Sequence, residues 1–296
     1  MGQYPGFFSD NAPLNQEESG PRSGLKWLKE ILEWGDYEQK QRVISVLKDH
    51  IFWLMRDKEI NSLFPYFVDA CEKEQLNSIA GVVLSDSDFF IDLAFCESGA
   101  NSIIKLIGKL KKSHDHAFTM TYILSTQFLD ITTHCIARKV IKQCLDFFGT
   151  QANKILHEKA IDHFKFLAKH KEGCIALNDC INTISGEQRD TLLDKIAEVS
   201  DYLSNDPFGN FVVQNVLELR DIRVTAKILK CLEGQFVHLS QKKGGSHVVE
   251  KCMKSSSLGL KTVVEEMVET PKVPLLLAKD QFGNYVIQKA LILEED

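Results

Sequence analysis

The sequence predicts an all-α solenoid of about seven stacked helical repeats, each about 36 residues long. Three observations lead to this fold class. Apolar residues recur at helical spacing from Leu25 onward, and the alternating pattern of an all-β domain is absent. A short core sequence recurs along the chain, and its copies lie at a nearly constant interval. A unit of this size cannot bury its apolar stripe alone, so neighbouring units must stack.

The repeats are defined by three clear copies of the core, at residues 206–217, 242–253 and 280–291. The residue after the glycine in each copy serves as a marker, and the intervals between these markers are 36 and 38 positions. Similar steps lead back to four further positions. The seven markers are Asn61, Ala100, Arg138, Cys174, Asn210, Ser246 and Asn284. We expect each repeat to contain a first helix, a short second apolar segment, a turn and the helix that carries the marker, which we call the marked helix.

The two ends of the chain are expected to differ from the repeats. Residues 1–22 are polar and rich in Gly, Pro, Asn and Glu, which predicts a disordered tail. Residues 23–296 form one repeat domain, in which 23–37, with Trp27 and Trp34, cap the first repeat. Too few residues follow Leu291 to form a further helix, so we expect Val286, Ile287 and Leu291 to be incompletely covered.

Composition narrows the class of protein. The chain has 41 acidic and 35 basic residues and a net charge of −6. This charge argues against a protein that binds nucleic acid or membranes through its overall positive charge. The eight cysteines include no Cys-x-x-Cys pair, which favours reduced thiols in the cytoplasm, with the nucleus as the alternative. No secretory signal or membrane-spanning stretch is apparent. No arrangement typical of catalysis, a metal site or a cofactor site is found, so we predict no enzyme, no metal and no cofactor.

The marked helices carry the candidate binding residues. Asn210 and Gln214 are four positions apart, and so lie about 40° apart on the helix, with Phe211 beside them. We expect these side chains to face outward, opposite the apolar stripe. Two polar groups and one flat group per repeat suit one planar, hydrogen-bonding ligand per repeat.

The core sequences resemble those of the Pumilio/PUF family of RNA-binding proteins. The resemblance is carried by Asn-Phe-Val-Val-Gln at 210–214, Ser-His-Val-Val-Glu at 246–250 and Asn-Tyr-Val-Ile-Gln at 284–288, and by the 36-residue period. It implies a curved solenoid of Pumilio-type repeats that reads one base per repeat, with the RNA antiparallel to the chain. The implied sites are 5′-U at Asn284 and Gln288, G at Ser246 and Glu250, and U at Asn210 and Gln214. Phe211, His247 and Tyr285 would stack on the bases.

The repeats before residue 201 depart from the family pattern. Cys174 and Asn178 flank the non-aromatic Ile175, and are candidates for weaker RNA contacts. Arg138, Lys139 and Lys142 are cationic, and either hold phosphates or form a solvated basic face. Ala100 and Ile104 offer no hydrogen bond, and Pro65 is expected to kink the marked helix of Asn61. Two repeats carry Ile60 and Ala137 in place of the glycine.

The sequence therefore predicts a monomer that binds single-stranded RNA containing UGU. By the resemblance, its targets are messenger 3′ untranslated regions, where it regulates translation or decay, with regulatory proteins as further candidate partners. One alternative is a protein-interaction solenoid whose RNA binding has decayed. Another is a PUF-like factor in ribosomal RNA processing, which the acidic balance disfavours. Three intact reading repeats and a negative charge predict modest affinity and a shallow salt dependence.

Overall fold

The computed structural model describes residues 21–295, which divide into two compact units that we describe separately. The N-terminal unit extends to Glu72, and the C-terminal unit begins at Lys73. Residues 21–295 are largely helical and include no strand. No helix in this part of the chain has both the length and the apolar character needed to cross a membrane. The predicted tail lies outside the described residues, except for Pro21 and Arg22, which begin the first helix.

The N-terminal unit contains one repeat and the segment predicted to cap it. Its helices are α1 (Pro21–Trp34), α2 (Tyr37–Asp49), α3 (Ile51–Arg56), a 3₁₀ turn (Ile60–Leu63) and α4 (Phe64–Ala70). A capping box starts α2: the Gln39 N–H donates to Asp36 Oδ1 at 2.8 Å, and the Asp36 N–H donates to Gln39 Oε1 at 3.1 Å. Most of the predicted cap, 23–37, lies in α1, which packs against α2, the 3₁₀ turn and α4.

The two tryptophans do not cover the core edge as we expected. Trp27 is 55% exposed and Trp34 is 80% exposed, whereas Leu32 is buried. Trp34 follows Leu32 by two residues, which turns it by about 200° around the helix, toward solvent. The aliphatic face of α1 therefore packs against the repeat, and the indoles lie outside it.

Pro65 does not kink a helix, contrary to the prediction. Asn61 lies in the 3₁₀ turn, and α4 begins at Phe64, which places Pro65 in the first turn of α4. Proline is tolerated there because the first N–H groups of a helix have no partner within the helix. The marked helix of this repeat is thus shortened rather than bent.

The C-terminal unit contains six repeats. The first helices are α5 (Lys73–Ser85), α8 (His114–Thr126), α11 (Thr150–Ala168), α13 (Gly186–Ala197), α16 (Ile222–Leu232) and α19 (Ser257–Val268). The second helices are α6 (Ser87–Phe95), α9 (Phe128–Thr132), α14 (Ser200–Ser204), α17 (Phe236–Ser240) and α20 (Val273–Lys279), and α11 is long enough to include the second segment of its repeat. The marked helices are α7 (Glu97–Leu110), α10 (Arg138–Phe147), α12 (Gly173–Thr183), α15 (Gly209–Glu218), α18 (Lys243–Ser255) and α21 (Gly283–Glu295).

The helices of the C-terminal unit stack in two layers. Each first helix packs against the first helix of the next repeat, and each marked helix packs against the next marked helix. The core between the layers is aliphatic, and includes the fully buried Ile103, Val213 and Val249. The predicted all-α solenoid of stacked repeats is confirmed.

A glycine before the marker lets the marked helix approach the preceding short helix closely. In five repeats a Cβ atom at this position would lie too close to the carbonyl group of a buried leucine six residues earlier. These pairs are Gly99 with Leu93, Gly173 with Leu167, Gly209 with Leu203, Gly245 with Leu239, and Gly283 with Leu277. The repeats with Ile60 and Ala137 begin their marked helices later, at Phe64 and Arg138.

We expect Gly99→Ala to lower the free energy of unfolding by about 1–3 kcal/mol, because the new methyl group would overlap the Leu93 carbonyl oxygen and crowd Cys96. Gly108, in the same helix α7, is the matched control, since a Cβ there meets no atom within 4 Å. Gly108→Ala should raise stability by about 0.5–1 kcal/mol through helix propensity. Urea unfolding of both variants measures the difference, and equal effects would contradict the close-approach explanation.

The last helix is better covered than we predicted. Val286 is fully buried, contrary to the prediction, because α21 packs against α18, α19 and α20. Ile287 is partly buried. Leu291 and Ile292 are 58% and 52% exposed, so only the second half of α21 is incompletely covered.

Candidate nucleic-acid interface

The residue four places before the marker closes the turn that precedes the marked helix. Asp206 Oδ1 accepts hydrogen bonds from the backbone N–H groups of Phe208 and Gly209, both at 2.9 Å. The first N–H groups of a helix lack partners within the helix, so this bond fixes how α15 begins. The corresponding acceptors in five other repeats are Asp57, Cys96, His134, His170 and Asp280.

Asn210 and Gln214 form one hydrogen-bonded pair. Asn210 Nδ2 donates to the carbonyl oxygens of Asp206 and Pro207 at 2.8 and 3.0 Å, and Gln214 Nε2 donates to Asn210 Oδ1 at 2.9 Å. Asn210 is only 3% exposed, which corrects the prediction of an outward-facing side chain. It is buried because its amide satisfies the turn before the helix. Asn210 therefore orients Gln214, which is partly buried and retains one amide hydrogen and its carbonyl oxygen for a ligand.

The same pair recurs in the last repeat. Asn284 Nδ2 donates to the Asp280 carbonyl oxygen at 2.7 Å, and Gln288 Nε2 donates to Asn284 Oδ1 at 3.3 Å. The turn is also the same, and hydrogen bonds from the N–H groups of Gly283 and Phe282 lower the pKa of the Asp280 carboxyl. Two repeats thus contain the same asparagine–glutamine pair, with a longer hydrogen bond and a more exposed glutamine in the last repeat.

The repeat between them presents a carboxylate instead. Ser246 is 4% exposed, and its hydroxyl donates to the Lys243 carbonyl oxygen at 3.2 Å. The Glu250 carboxylate lies 3.9 Å from both His247 Nδ1 and Lys254 Nζ, beyond direct hydrogen-bond distance. Its oxygens accept hydrogen bonds and cannot donate them. This repeat is therefore suited to a ligand edge that offers two donors.

Flat side chains stand in solvent beside each pair. Phe211 is 54% exposed and Tyr285 is 61% exposed, and the side chain of His247 is 58% exposed. Each directly follows its marker, as the sequence predicts. Exposed aromatic faces at a regular interval provide surfaces on which bases can stack.

Successive marked helices bring these groups close together. A Cβ atom at Gly244 of α18 would lie 2.7 Å from Asn210 Cγ of α15, so the glycine leaves room for the Asn210 side chain. Because α15 also packs against α12, and α18 against α21, the candidate readers lie on consecutive neighbouring helices.

The cations of the Arg138 repeat are largely paired within the protein. Arg138 Nε donates to Glu172 Oε2 at 2.7 Å in a mostly buried ion pair, which lowers the pKa of the Glu172 carboxyl. Lys142 Nζ lies 2.9 Å from Asp146 Oδ2, and this bond raises the pKa of the Lys142 ammonium group. Lys139 is exposed. Of the two alternatives, the solvated basic face does not describe Arg138, because its ion pair with Glu172 links two repeats.

Cys174 and Asn178 occupy the positions that Asn210 and Gln214 occupy in their repeat, but they offer fewer hydrogen-bonding groups to a ligand. Cys174 is 4% exposed, and its thiol donates to the Lys171 carbonyl oxygen at 3.3 Å. Asn178 Oδ1 is buried and has no hydrogen-bond partner within the described part of the chain. Ile175 is 40% exposed but offers no aromatic face. This repeat therefore has one acceptor without a partner, which is buried, and no aromatic group for stacking.

The repeats of the first two markers do not present a marker side chain that can form a hydrogen bond with a base. Ala100 is buried and Ile104 partly buried, and neither side chain can form a hydrogen bond. Asn61 Nδ2 donates to the carbonyl oxygens of Leu54 and Met55 at 3.3 and 3.0 Å, at the end of α3. Asn61 therefore has a structural role.

Two features were missed at the sequence level. One is the residue four places before the marker, whose side chain accepts a hydrogen bond at the start of the marked helix in most repeats. An alignment of the repeats on their markers could have found it. The other is a group of lysines at the end of α7, signalled by the charge run Lys105–Lys112. No group of His, Cys, Asp or Glu side chains within residues 21–295 is arranged to hold a metal ion.

Comparisons with known proteins agree with this architecture. The family described as Pumilio-family RNA binding repeat matches residues 163–197, 202–232, 235–267 and 275–292. Pumilio homolog 18 of Arabidopsis thaliana is 38% identical over 243 residues, which cover 81% of this chain and 73% of the relative. Pumilio homolog 9 of the same plant is 30% identical over 90% of this chain and 47% of the relative. Two other relatives are matched over only 52% and 41% of their own lengths.

A solved structure is similar over most of the chain. It is titled "Puf4 RNA binding domain bound to HO endonuclease RNA 3' UTR recognition sequence", with a TM-score of 0.83 and 26% identity, over 92% of this chain and 85% of that one. The stacked repeats and the row of flat and amide side chains define a single-strand nucleic-acid-binding solenoid. This chain belongs to the Pumilio (PUF) family of RNA-binding repeat proteins, and not to a family of enzymes.

Proposed function

We propose that this protein binds single-stranded RNA through the triplet 5′-UGU-3′, in 3′ untranslated regions of messenger RNA, and regulates translation or message stability in the cytoplasm. The observation that carries the proposal is the order of three reading repeats, in which a carboxylate repeat lies between two identical amide repeats.

The chemistry of the base edges supports this triplet. Uracil presents one N–H donor beside carbonyl acceptors. Gln214 and Gln288 each retain a carbonyl oxygen to accept that N–H and an amide hydrogen to donate to a carbonyl. Guanine presents two neighbouring N–H donors, which the two oxygens of Glu250 can accept. Uracil at Glu250 would place a carbonyl oxygen against a carboxylate, so this repeat favours guanine.

The polarity of the strand rests on the family, whose members bind RNA antiparallel to the chain. The repeat of Asn284 then takes the 5′ base, and the repeat of Asn210 takes the third. The fourth base would face the repeat of Cys174 and Asn178, where the one acceptor without a partner, Asn178 Oδ1, is buried and no aromatic group stacks. We therefore expect strong preference at three positions and weak preference at the fourth.

The affinity should be modest. Stacking contributes ~1–3 kcal/mol per base, so three stacking repeats contribute on the order of 3–9 kcal/mol before the cost of ordering the strand. The upper end of this range, less the ordering cost, corresponds to a Kd of about micromolar or weaker.

The test is a binding titration of single-stranded RNAs that contain UGU near their 3′ ends, against otherwise identical RNAs with UUU or UCU. We expect at least about tenfold weaker binding of the altered RNAs. The UGU complex should depend only weakly on salt, because few phosphates are neutralised. Equal affinity for the three RNAs would contradict the proposal, as would absence of binding to any of them.

A further inference from the structure

A strongly basic cavity lies at the N-terminal end of the C-terminal unit, away from the three reading repeats. It has a volume of about 1180 Å³ and lies among α5, α7, α8 and α10. Its lining includes the basic side chains Lys73, Lys105, Lys109, Lys111, Lys112 and His114. Among residues 21–295, Asp115 is the only acidic residue in the lining.

This concentration of positive charge is unusual in a chain whose net charge is −6. Lys73, Lys111 and Lys112 are exposed and outnumber Asp115 in the described lining, so this part of the wall carries a net positive charge. Charges of one sign that line a concave surface reinforce one another and raise the local concentration of oppositely charged ligands. The cavity is therefore suited to an anionic ligand.

The size and position of the cavity favour an extended strand over a small anion. Its volume exceeds the range of about 300–1,000 Å³ that is typical of small-molecule sites. Its lining includes Ile104 of α7 and Gln143 of α10, four and five places after their markers. The cavity is therefore formed in part by two successive marked helices, in the layer that carries the reading residues in later repeats.

We propose that this cavity binds the sugar–phosphate backbone of RNA on the 3′ side of the triplet, without reading its sequence. The inference rests on the proposed function, because an antiparallel strand that leaves Asn210 passes α12 and α10 before it reaches α7. Ala100 and Ile104 cannot read a base, whereas lysines attract phosphates of any sequence. The upstream repeats would thus contribute affinity without specificity.

The experiment compares RNAs that carry UGU with about six abasic nucleotides added on either the 3′ or the 5′ side, so that the extension supplies phosphates and no bases. For the wild type, the 3′ extension should raise affinity by roughly tenfold at low salt and steepen the salt dependence. Lys111→Gln combined with Lys112→Gln should remove most of this gain and reduce the salt slope by about 1–2. Both lysines are exposed, near the turn between α7 and α8.

The matched control combines Lys195→Gln and Lys230→Gln, which remove two exposed lysines from the last turns of α13 and α16. This control should retain the full gain from the 3′ extension. The inference is overturned if the 3′ extension gives no gain in affinity, or if the two double variants lose the gain equally. It is also overturned if poly-glutamate competes with the 3′-extended RNA as strongly as an equal concentration of unlabelled RNA does.

The outcome also separates this inference from the proposed function. If the wild type binds UGU and UUU RNAs equally but still gains affinity through Lys111 and Lys112, the triplet proposal fails and the cavity inference stands. If the wild type prefers UGU but the 3′ extension adds nothing, the cavity inference fails and the triplet proposal stands.

Discussion

The double substitution Ser246→Asn, Glu250→Gln should change the preferred triplet from UGU to UUU. The double variant gives the middle repeat the same pair as its two neighbours. In those neighbours the glutamine amide donates to the asparagine at 2.9 and 3.3 Å, and the asparagine is anchored to the turn before its helix. The new pair should adopt the geometry of Asn210 and Gln214, because the cores at 210–214 and 246–250 share one pattern of buried and exposed positions.

The expected change in preference is large because it reverses the chemistry of one base contact. In the proposed complex Glu250 would accept two N–H groups from guanine, and a good bidentate contact discriminates by ~1–3 kcal/mol, or roughly 5- to 150-fold. A glutamine in its place would accept one N–H and donate one, which matches uracil and leaves one guanine donor without a partner. The ratio of the Kd values for UGU and UUU, measured by titration, should therefore invert.

Two controls separate base reading from a general change in charge. Glu187→Gln removes one exposed carboxylate from α13, and should strengthen binding to all RNAs slightly while leaving the preference unchanged. The reciprocal change, Asn284→Ser with Gln288→Glu, should move the preferred first base from U to G. An unchanged UGU preference in the double variant of the middle repeat would refute base reading there.

The period of the sequence could predict the repeats, because a stacked repeat must bury the same helix face each time. The marker positions place all six marked helices of the C-terminal unit correctly. The exposed Phe211, His247 and Tyr285 are also apparent from helix geometry alone.

Burial and pairing of polar groups could not be predicted in this way. Asn210 is buried because its amide satisfies carbonyl groups in the turn before α15, a contact that depends on backbone geometry rather than on helical spacing. Arg138 is paired because the next repeat places Glu172 beside it, 34 positions away. Both facts depend on how neighbouring segments meet, and neither leaves a periodic signal in the sequence.

Asn153 shows the same principle at a position that carries no marker. It is 2% exposed, and its Nδ2 donates to three carbonyl oxygens at the end of α10: Cys144 at 3.1 Å, Leu145 at 3.4 Å and Phe148 at 3.0 Å. The last carbonyl groups of a helix have no partner within the helix. One buried amide therefore ends α10 and connects it to α11.

Asn153→Asp should be among the most destabilising single substitutions in the C-terminal unit. It would replace a buried donor by a carboxylate that faces carbonyl oxygens at the negative end of a helix. Removal of one partner from a buried charged or polar cluster costs about 3–5 kcal/mol, and we expect a loss of this size at neutral pH. The shift of the urea unfolding midpoint measures it.

The pH dependence of this loss tests its electrostatic cause. The repulsion should raise the pKa of the new carboxyl in the folded protein above its unfolded value of about 3.9. The penalty is then full above the folded pKa and shrinks as pH falls toward the unfolded pKa, because the protonated acid can donate to a carbonyl. Asn182→Asp is the control: Asn182 is exposed, and its Oδ1 already accepts from Asn215 Nδ2 at 3.3 Å, an interaction that a carboxylate preserves. This control should change stability by less than about 0.5 kcal/mol. A penalty for Asn153→Asp that is small, or that does not depend on pH, would show that the amide does not hold the end of α10 in the way its hydrogen bonds indicate.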